Sequence, residues 1–284
     1  KQRDQGVHEV LALSAVVRKL PRGECELLYG RVGYVYSILF LQRALNNPEL
    51  GAKEAESIVR QVIEAGLKSG GGIRNNFPLR YKWHRKCYLG AVHGLCGIYK
   101  ILMHFPKILE SMGVRDKLKK SIDKLLAMEF PSHNMPSSLE SKKDRLVHFC
   151  HGATGFVSMC IMAAEFFKDP SYLDRAKTFG EVLWKRGLLD KKALGLCHGA
   201  PGNGMTFLSL YRKTGDALWL RRAQHFAVHV VHNFDRLAPN TDDPYSMFTG
   251  MLGAVVFLAG TLDPERSYFV GYELPKVMKK FSGQ

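Results

Sequence analysis

Three short segments of this sequence gather reactive side chains: Val92-His93-Gly94-Leu95, Phe149-Cys150-His151-Gly152 and Leu196-Cys197-His198-Gly199. Thiolates and imidazoles are ligands that zinc prefers, and three of them leave the fourth tetrahedral position open, as in catalytic sites. Cys150 and Cys197, with one or more of His151 and His198, are the candidate ligands. A single Cys-His pair is ordinarily a buried free cysteine beside a histidine satisfied by backbone. Two pairs in register shift the reading toward metal. Cys25, Cys87, Cys96 and Cys160 lie in helical or apolar runs without a His-Gly partner and are read as core. No C-x-x-C pair occurs, which excludes zinc-ribbon and thioredoxin-like motifs.

A repeat must bring these segments together. Gly-x-x-Gly followed by an apolar run recurs at Gly30/Gly33, Gly94/Gly97, Gly152/Gly155, Gly199/Gly202 and Gly250/Gly253. The first glycines are separated by 64, 58, 47 and 51 residues. At an offset of 47, Cys150-His151-Gly152-Ala153 falls on Cys197-His198-Gly199-Ala200, and Asp169, Leu173, Arg175, Ala176 and Phe179 fall on Asp216, Leu220, Arg222, Ala223 and Phe226. Tyr172, Ala176, Phe179 and Leu183 are spaced for one face of a helix, as are Trp219, Ala223, Phe226 and Val230. Asp216 is placed to cap the second of these.

Each unit thus reads as a loop, an apolar inner helix such as Phe156–Phe167, and an amphipathic outer helix. Inner helices apolar nearly all round are packed on several sides. That favours a closed α/α toroid over an open solenoid. Glycines would let the loops crowd together at one end of the ring. Helix N-termini would point into that end, which favours anions.

The formal charge of +15, from 41 Lys and Arg against 26 Asp and Glu, suits anionic partners. Its basic residues are scattered, and the group Lys117, Lys119, Lys120 and Lys124 is spaced for a solvated helix face. Arg80-Tyr81-Lys82-Trp83-His84-Arg85-Lys86 interleaves bases with aromatics, yet no nucleic-acid motif accompanies it, so no specific nucleic-acid partner is expected. The longest apolar stretches, Phe156–Phe167 and Met251–Leu262, are too short to span a bilayer. Six dispersed cysteines read as reduced thiols. The expected location is the cytoplasm, with peripheral contact to an acidic membrane surface. The chain opens on Lys1, so it is expected to begin inside a longer gene product.

Leu27-Leu28-Tyr29-Gly30-Arg31-Val32-Gly33-Tyr34, Gly90-Ala91-Val92-His93-Gly94-Leu95-Cys96-Gly97-Ile98-Tyr99, Val147-His148-Phe149-Cys150-His151-Gly152-Ala153 and Gly195-Leu196-Cys197-His198-Gly199 resemble, in order, the signatures of the eukaryotic LanC-like (lanthionine synthetase C-like) family. The resemblance covers almost the whole chain, down to Ser267–Leu274. It implies one α/α toroid domain over residues 1–284, with five of the family's seven repeats and the two N-terminal ones absent. The helices led by Gly33 and Gly253 would then each expose an apolar face.

The resemblance further implies zinc held by Cys150, Cys197 and His198, with glutathione as the thiol. The reaction it implies is addition of glutathione to dehydroalanine or dehydrobutyrine in proteins. His93 matches the family's candidate acid, with His151 as runner-up, and Lys192 matches a lysine used for the anionic ligand. One departure is Pro239-Asn240-Thr241-Asp242-Asp243-Pro244, where the family carries an arginine just before a Thr-Pro-Asp-Thr-Pro-like stretch. The alternative is a non-catalytic scaffold or adaptor that binds zinc and glutathione. A prenyltransferase-type zinc enzyme is a further reading, but no acidic residue lies within three positions of Cys150 or Cys197.

Overall fold

The computed structural model describes residues 2–70, 77–189 and 194–276. Among these the chain is helical, and its β features are two isolated antiparallel bridges, Trp83–Lys86 and Tyr88–Ser138. Two helices open it, α1 (Gln2–Ala12) and α2 (Ser14–Arg18). Glycine-led helices then alternate with others: α3 (Arg31–Ala44) and α4 (Ala52–Ser69); α5 (Leu95–Leu102), α6 (Pro106–Ser111) and α7 (Arg115–Leu126). The pattern continues with α8 (Ala153–Phe167) and α9 (Ser171–Arg186), then α10 (Ala200–Thr214) and α11 (Ala217–His232). A short α12 (Phe234–Leu237) leads to α13 (Leu252–Leu262).

The glycine-led helices α3, α5, α8, α10 and α13 pack against one another in chain order as an inner layer, and α4, α7, α9 and α11 back them. Every residue of α10 from Ala200 to Leu210 is buried. By contrast, α9 buries the face carrying Tyr172, Ala176, Phe179 and Leu183, and α11 the face carrying Trp219, Ala223, Phe226 and Val230, as their spacing predicts. Asp216 caps α11, accepting from Leu218 N–H at 2.8 Å.

The repeated glycines answer a repeated collision. A Cβ on Gly97 would lie 1.9 Å from the Ala91 carbonyl oxygen, and one on Gly202 would lie 2.0 Å from that of Leu196. The same approach to the carbonyl six residues upstream recurs at Gly33, Gly155 and Gly253. Each loop therefore folds tightly onto the first turn of its own inner helix, and only hydrogen fits between.

The C-terminal segment binds the inner layer together. Tyr36 of α3 donates its hydroxyl to the Glu273 carbonyl at 2.9 Å, and Lys100 of α5 donates to the Tyr272 carbonyl. Ser158 of α8 donates to Glu273 Oε1 at 2.9 Å, and Arg212 of α10 reaches Glu273 Oε2 at 2.6 Å. Burial alone would raise the Glu273 carboxyl, but Arg212 and Lys100 outweigh it and hold the group below its usual range. Burial draws the Lys100 amine down to about 8. Four inner helices thus converge on two consecutive residues.

The expected apolar face is present on α13, where Leu252, Val255 and Leu262 are exposed. The corresponding face of α3 is half-buried, because Tyr36 is tied to the C-terminal segment. Among the described residues no helix is long and apolar enough to cross a membrane.

Candidate functional site

The loops before the inner helices are joined edge to edge. Leu27 N–H donates to the Val92 carbonyl at 3.0 Å, Cys150 N–H to that of Cys197 at 3.3 Å, and Cys197 N–H to that of Phe248 at 2.9 Å. The gap between the second and third loops closes at Gly90, where a Cβ would sit 2.0 Å from the Cys150 carbonyl oxygen. Gly152 holds φ at +101°, a left-handed value that lets Cys150 and His151 turn into α8. His93, Cys150, His151, Cys197 and His198 are thereby gathered at one end of the inner layer.

The ligand atoms of Cys150, Cys197 and His198 all lie within 4.8 Å of one another. Ligands of a tetrahedral zinc stand about 3.5–3.8 Å apart, as bond lengths of about 2.0–2.3 Å require. Small side-chain adjustments would close that difference, so these three residues could hold a metal ion. His151 is outside the group, although it shares a loop with Cys150. Residue types alone leave His151 and His198 open as ligands and the resemblance names His198, which is the one grouped with the two thiols.

The thiols interact directly. The hydrogen bond with Cys150 draws the Cys197 thiol down to about 5 against the effect of burial, and His198 adds to that pull. The same hydrogen bond, with burial, raises Cys150. One proton is held between two sulfurs, so the first thiolate forms easily and the second forms with difficulty. A cation at that point removes both protons. His198 Nε2 lies 3.2 Å from Asp242 Oδ2, and its ring centre is 6.0 Å from that of His148. A carboxylate thus faces His198 from the loop before α13.

His93 occupies the neighbouring loop. Its Nδ1 lies 2.7 Å from Glu26 Oε2, and since a carboxylate only accepts, Nδ1 carries the donated proton. Glu26 is buried and also accepts the backbone N–H groups of Leu28, at 3.0 Å, and Tyr29. The Trp83 ring stacks on His93 at 4.3 Å and 3°, with its indole N–H on Glu24 at 3.0 Å. Tyr29 and Tyr88 complete an aromatic wall around the imidazole. The His151 ring is 6.4 Å from that of His93. Burial, then the proximity of His93, lowers the His151 imidazole to about 4, and its Nδ1 is buried without a hydrogen-bond partner.

Glu26, Trp83 and Asp242 were not singled out as site residues by the sequence. For Glu26 a signal existed: a lone carboxylate in the apolar run before Gly30 is expensive to bury without a partner. Lys192 lies outside the described residues.

The sequence pattern of the family described as Lanthionine synthetase C-like protein matches residues 5–274. The chain belongs to the LanC-like family. Among LanC-like relatives, the Danio rerio protein named glutathione S-transferase LANCL1 is 38% identical over 278 residues, covering 96% of this chain and 68% of that protein. LanC-like protein GCL1 of Arabidopsis thaliana is 35% identical over 271 residues, covering 90% of this chain and 61% of that one. Among solved structures, nisin cyclase superposes with a TM-score of 0.54 at 14% identity, over 90% of this chain and 80% of its own. With the two helical layers described above, that likeness gives the LanC-like chain its fold class, an all-α helical toroid.

Proposed function

We propose that this protein adds the thiol of glutathione to dehydroalanine or dehydrobutyrine residues in proteins, with zinc held by Cys150, Cys197 and His198. The observation that carries the reading is the juxtaposition of a two-thiol, one-imidazole group with a histidine held by a buried carboxylate. The relative named a glutathione S-transferase supports glutathione as the thiol.

Bound there, zinc would supply a positive charge that favours the thiolate form of a thiol at neutral pH. The remaining steps belong to the chain's own groups. Sulfur bonds to Cβ of the dehydroamino acid, the C=C electron pair moves toward the carbonyl, and Cα must then take a proton. His93 is the donor we assign, through Nε2, because Nδ1 is committed to Glu26. The Glu26 carboxylate fixes the ring and turns Nε2 toward the mouth. His151, lowered to about 4, is mostly neutral at pH 7 and ranks behind it. Trp83, Tyr29 and Tyr88 limit water around the donor. Lys192 is assigned to an anionic group of glutathione.

Six free cysteines support a reducing, cytoplasmic location. The test is turnover of a dehydroalanine peptide with glutathione by zinc-loaded protein, followed by mass spectrometry. Zinc and glutathione binding without any adduct would make the protein a scaffold instead.

A further inference from the structure

From Phe77 to Leu109 the sequence contains no Asp or Glu, and within it Lys82, Arg85 and Lys86 form a tight cluster. The structure places this cluster beside His93. Trp83 N–H donates to the Lys86 carbonyl at 2.9 Å and Lys86 N–H to that of Trp83 at 3.0 Å, closing a two-residue hairpin. His84 and Arg85 occupy its tip with φ of +45° and +64°. Hairpins of this twist ordinarily use Asn-Gly. Here bulky cationic side chains are held in that conformation and project outward, and Lys82, His84, Arg85 and Lys86 are all exposed.

Their charges are uncommitted. Among the described residues Lys82, Arg85 and Lys86 enter no salt bridge or side-chain hydrogen bond, and neither does exposed Arg22, whose neighbour Gly23 packs near the Lys82 carbonyl oxygen. Four arginines elsewhere are matched, Arg175 with Glu129, Arg186 with Asp144, Arg212 with Glu273 and Arg222 with Glu181. Three acids lie nearby, Glu24 on the Trp83 indole N–H, Glu26 on His93, and exposed Glu140 close enough to act on Cys87, and none of them pairs with a cation of the turn. The segment that bridges to Tyr88 through Ser138 runs on into exposed Lys142 and Lys143. Leu28 and Tyr29 are exposed next to the turn, the Tyr29 ring 6.0 Å from that of Trp83.

We propose that the Trp83–Lys86 turn docks acidic stretches that flank the dehydroamino acid of a protein substrate. This deepens the proposed reaction and rests on it for the substrate's identity. Uncompensated cations beside a donor histidine attract and orient carboxylates, which raises encounter rate and selectivity. A single-stranded nucleic acid fits less well. It needs successive open aromatic faces for its bases, and here the Trp83 ring is stacked on His93, which leaves Tyr29 as the exposed ring beside the turn.

The experiment uses the zinc-loaded chain and a fluorescein-labelled peptide with Asp on both sides of a dehydroalanine, compared with the same peptide carrying Asn. Anisotropy at low salt should show the Asp peptide binding roughly tenfold tighter, as a few surface charge contacts allow. Lys82→Gln, Arg85→Asn and Lys86→Gln together should erase that preference, Asn being chosen because it tolerates positive φ. Lys117→Gln with Lys120→Gln, on the exposed face of α7, should keep it. Zinc content should be unchanged in both variants. Equal loss in both would reduce the effect to net charge and overturn the proposal. So would an oligonucleotide or phosphatidylserine vesicle that displaces the Asp peptide from the turn with higher affinity. A turn variant that weakens glutathione binding alone would also overturn it. Binding is read without turnover, so a missing adduct speaks against the reaction and not against docking.

Discussion

Glu26 and His93 meet at 2.7 Å between Oε2 and Nδ1, although 67 residues separate them in the chain. The carboxylate is inside and the imidazole at the mouth, with side-chain exposures of 1% and 19%. The first loop therefore sets the orientation of a group on the second. Glu26→Gln keeps the shape and removes the charge. It should slow glutathione addition by about 10²-fold or more while leaving zinc content intact. An unchanged rate would dissociate the pair from catalysis.

Metal should account for part of the fold's stability at this end of the ring. The purified protein should carry about one zinc per chain. A chelator should lower Tm, and added zinc should restore it. Near-stoichiometric zinc in a Cys150→Ala, Cys197→Ala double variant would refute the ligand assignment.

The repeat made the inner and outer helices legible, because burial in helices follows a local period that spacing records. The Cys-His pairs were legible for the same reason, as they recur at one offset. Glu26, Asp242 and Glu273 were not. Each acts through a partner from a distant loop, and no periodicity announces a contact such as Tyr36 with Glu273, 237 residues apart. Residue types alone do not separate His151 from His198, because both stand beside a cysteine in register, and the grouping of His198 with the thiols depends on how the loops turn.

Glu273 and Arg212 are each about one-eighth exposed and bridge the C-terminal segment to α10 at 2.6 Å. Glu273→Ala leaves Arg212 and Lys100 facing each other without their anion. Denaturant unfolding should show a loss of about 3–5 kcal/mol. Replacing both Arg212 and Glu273 with Leu should cost less than the single change. Additive losses would show that the pair is not coupled.

His104 should give the stability curve an acid limb. Its Nε2 is buried without a partner although the residue as a whole is half-buried, and burial, with Lys100 and Arg43 nearby, lowers it to about 3. Unfolded, the ring titrates near its ordinary value of about 6.5. Between these values the unfolded chain binds the extra proton, so stability is complete above the upper one and declines toward the lower. His104→Gln should flatten that decline by on the order of 1–2 kcal/mol, allowing for the partly exposed ring. Identical urea midpoints for both proteins from pH 7 to pH 4 would exclude the role.

Gly202 couples the helix-loop contact to the Cys150, Cys197 and His198 group. A Cβ there would stand 2.0 Å from the Leu196 carbonyl oxygen, and the next residue is Cys197. Backbone on one side and the first turn of α10 on the other leave no flexible side chain to yield. Gly202→Ala should therefore push the loop outward, lowering stability by about 3 kcal/mol or more and weakening zinc binding. Gly6→Ala is the control. It lies in α1 with nothing within 4 Å of the added carbon, and it should stabilise by about 0.5–1 kcal/mol without touching zinc. Competition with a chromogenic chelator reads the metal affinity, and urea unfolding reads the stability. If Gly202→Ala bound zinc as tightly as the parent, the close approach would be a packing convenience and the position of Cys197 would depend on other contacts.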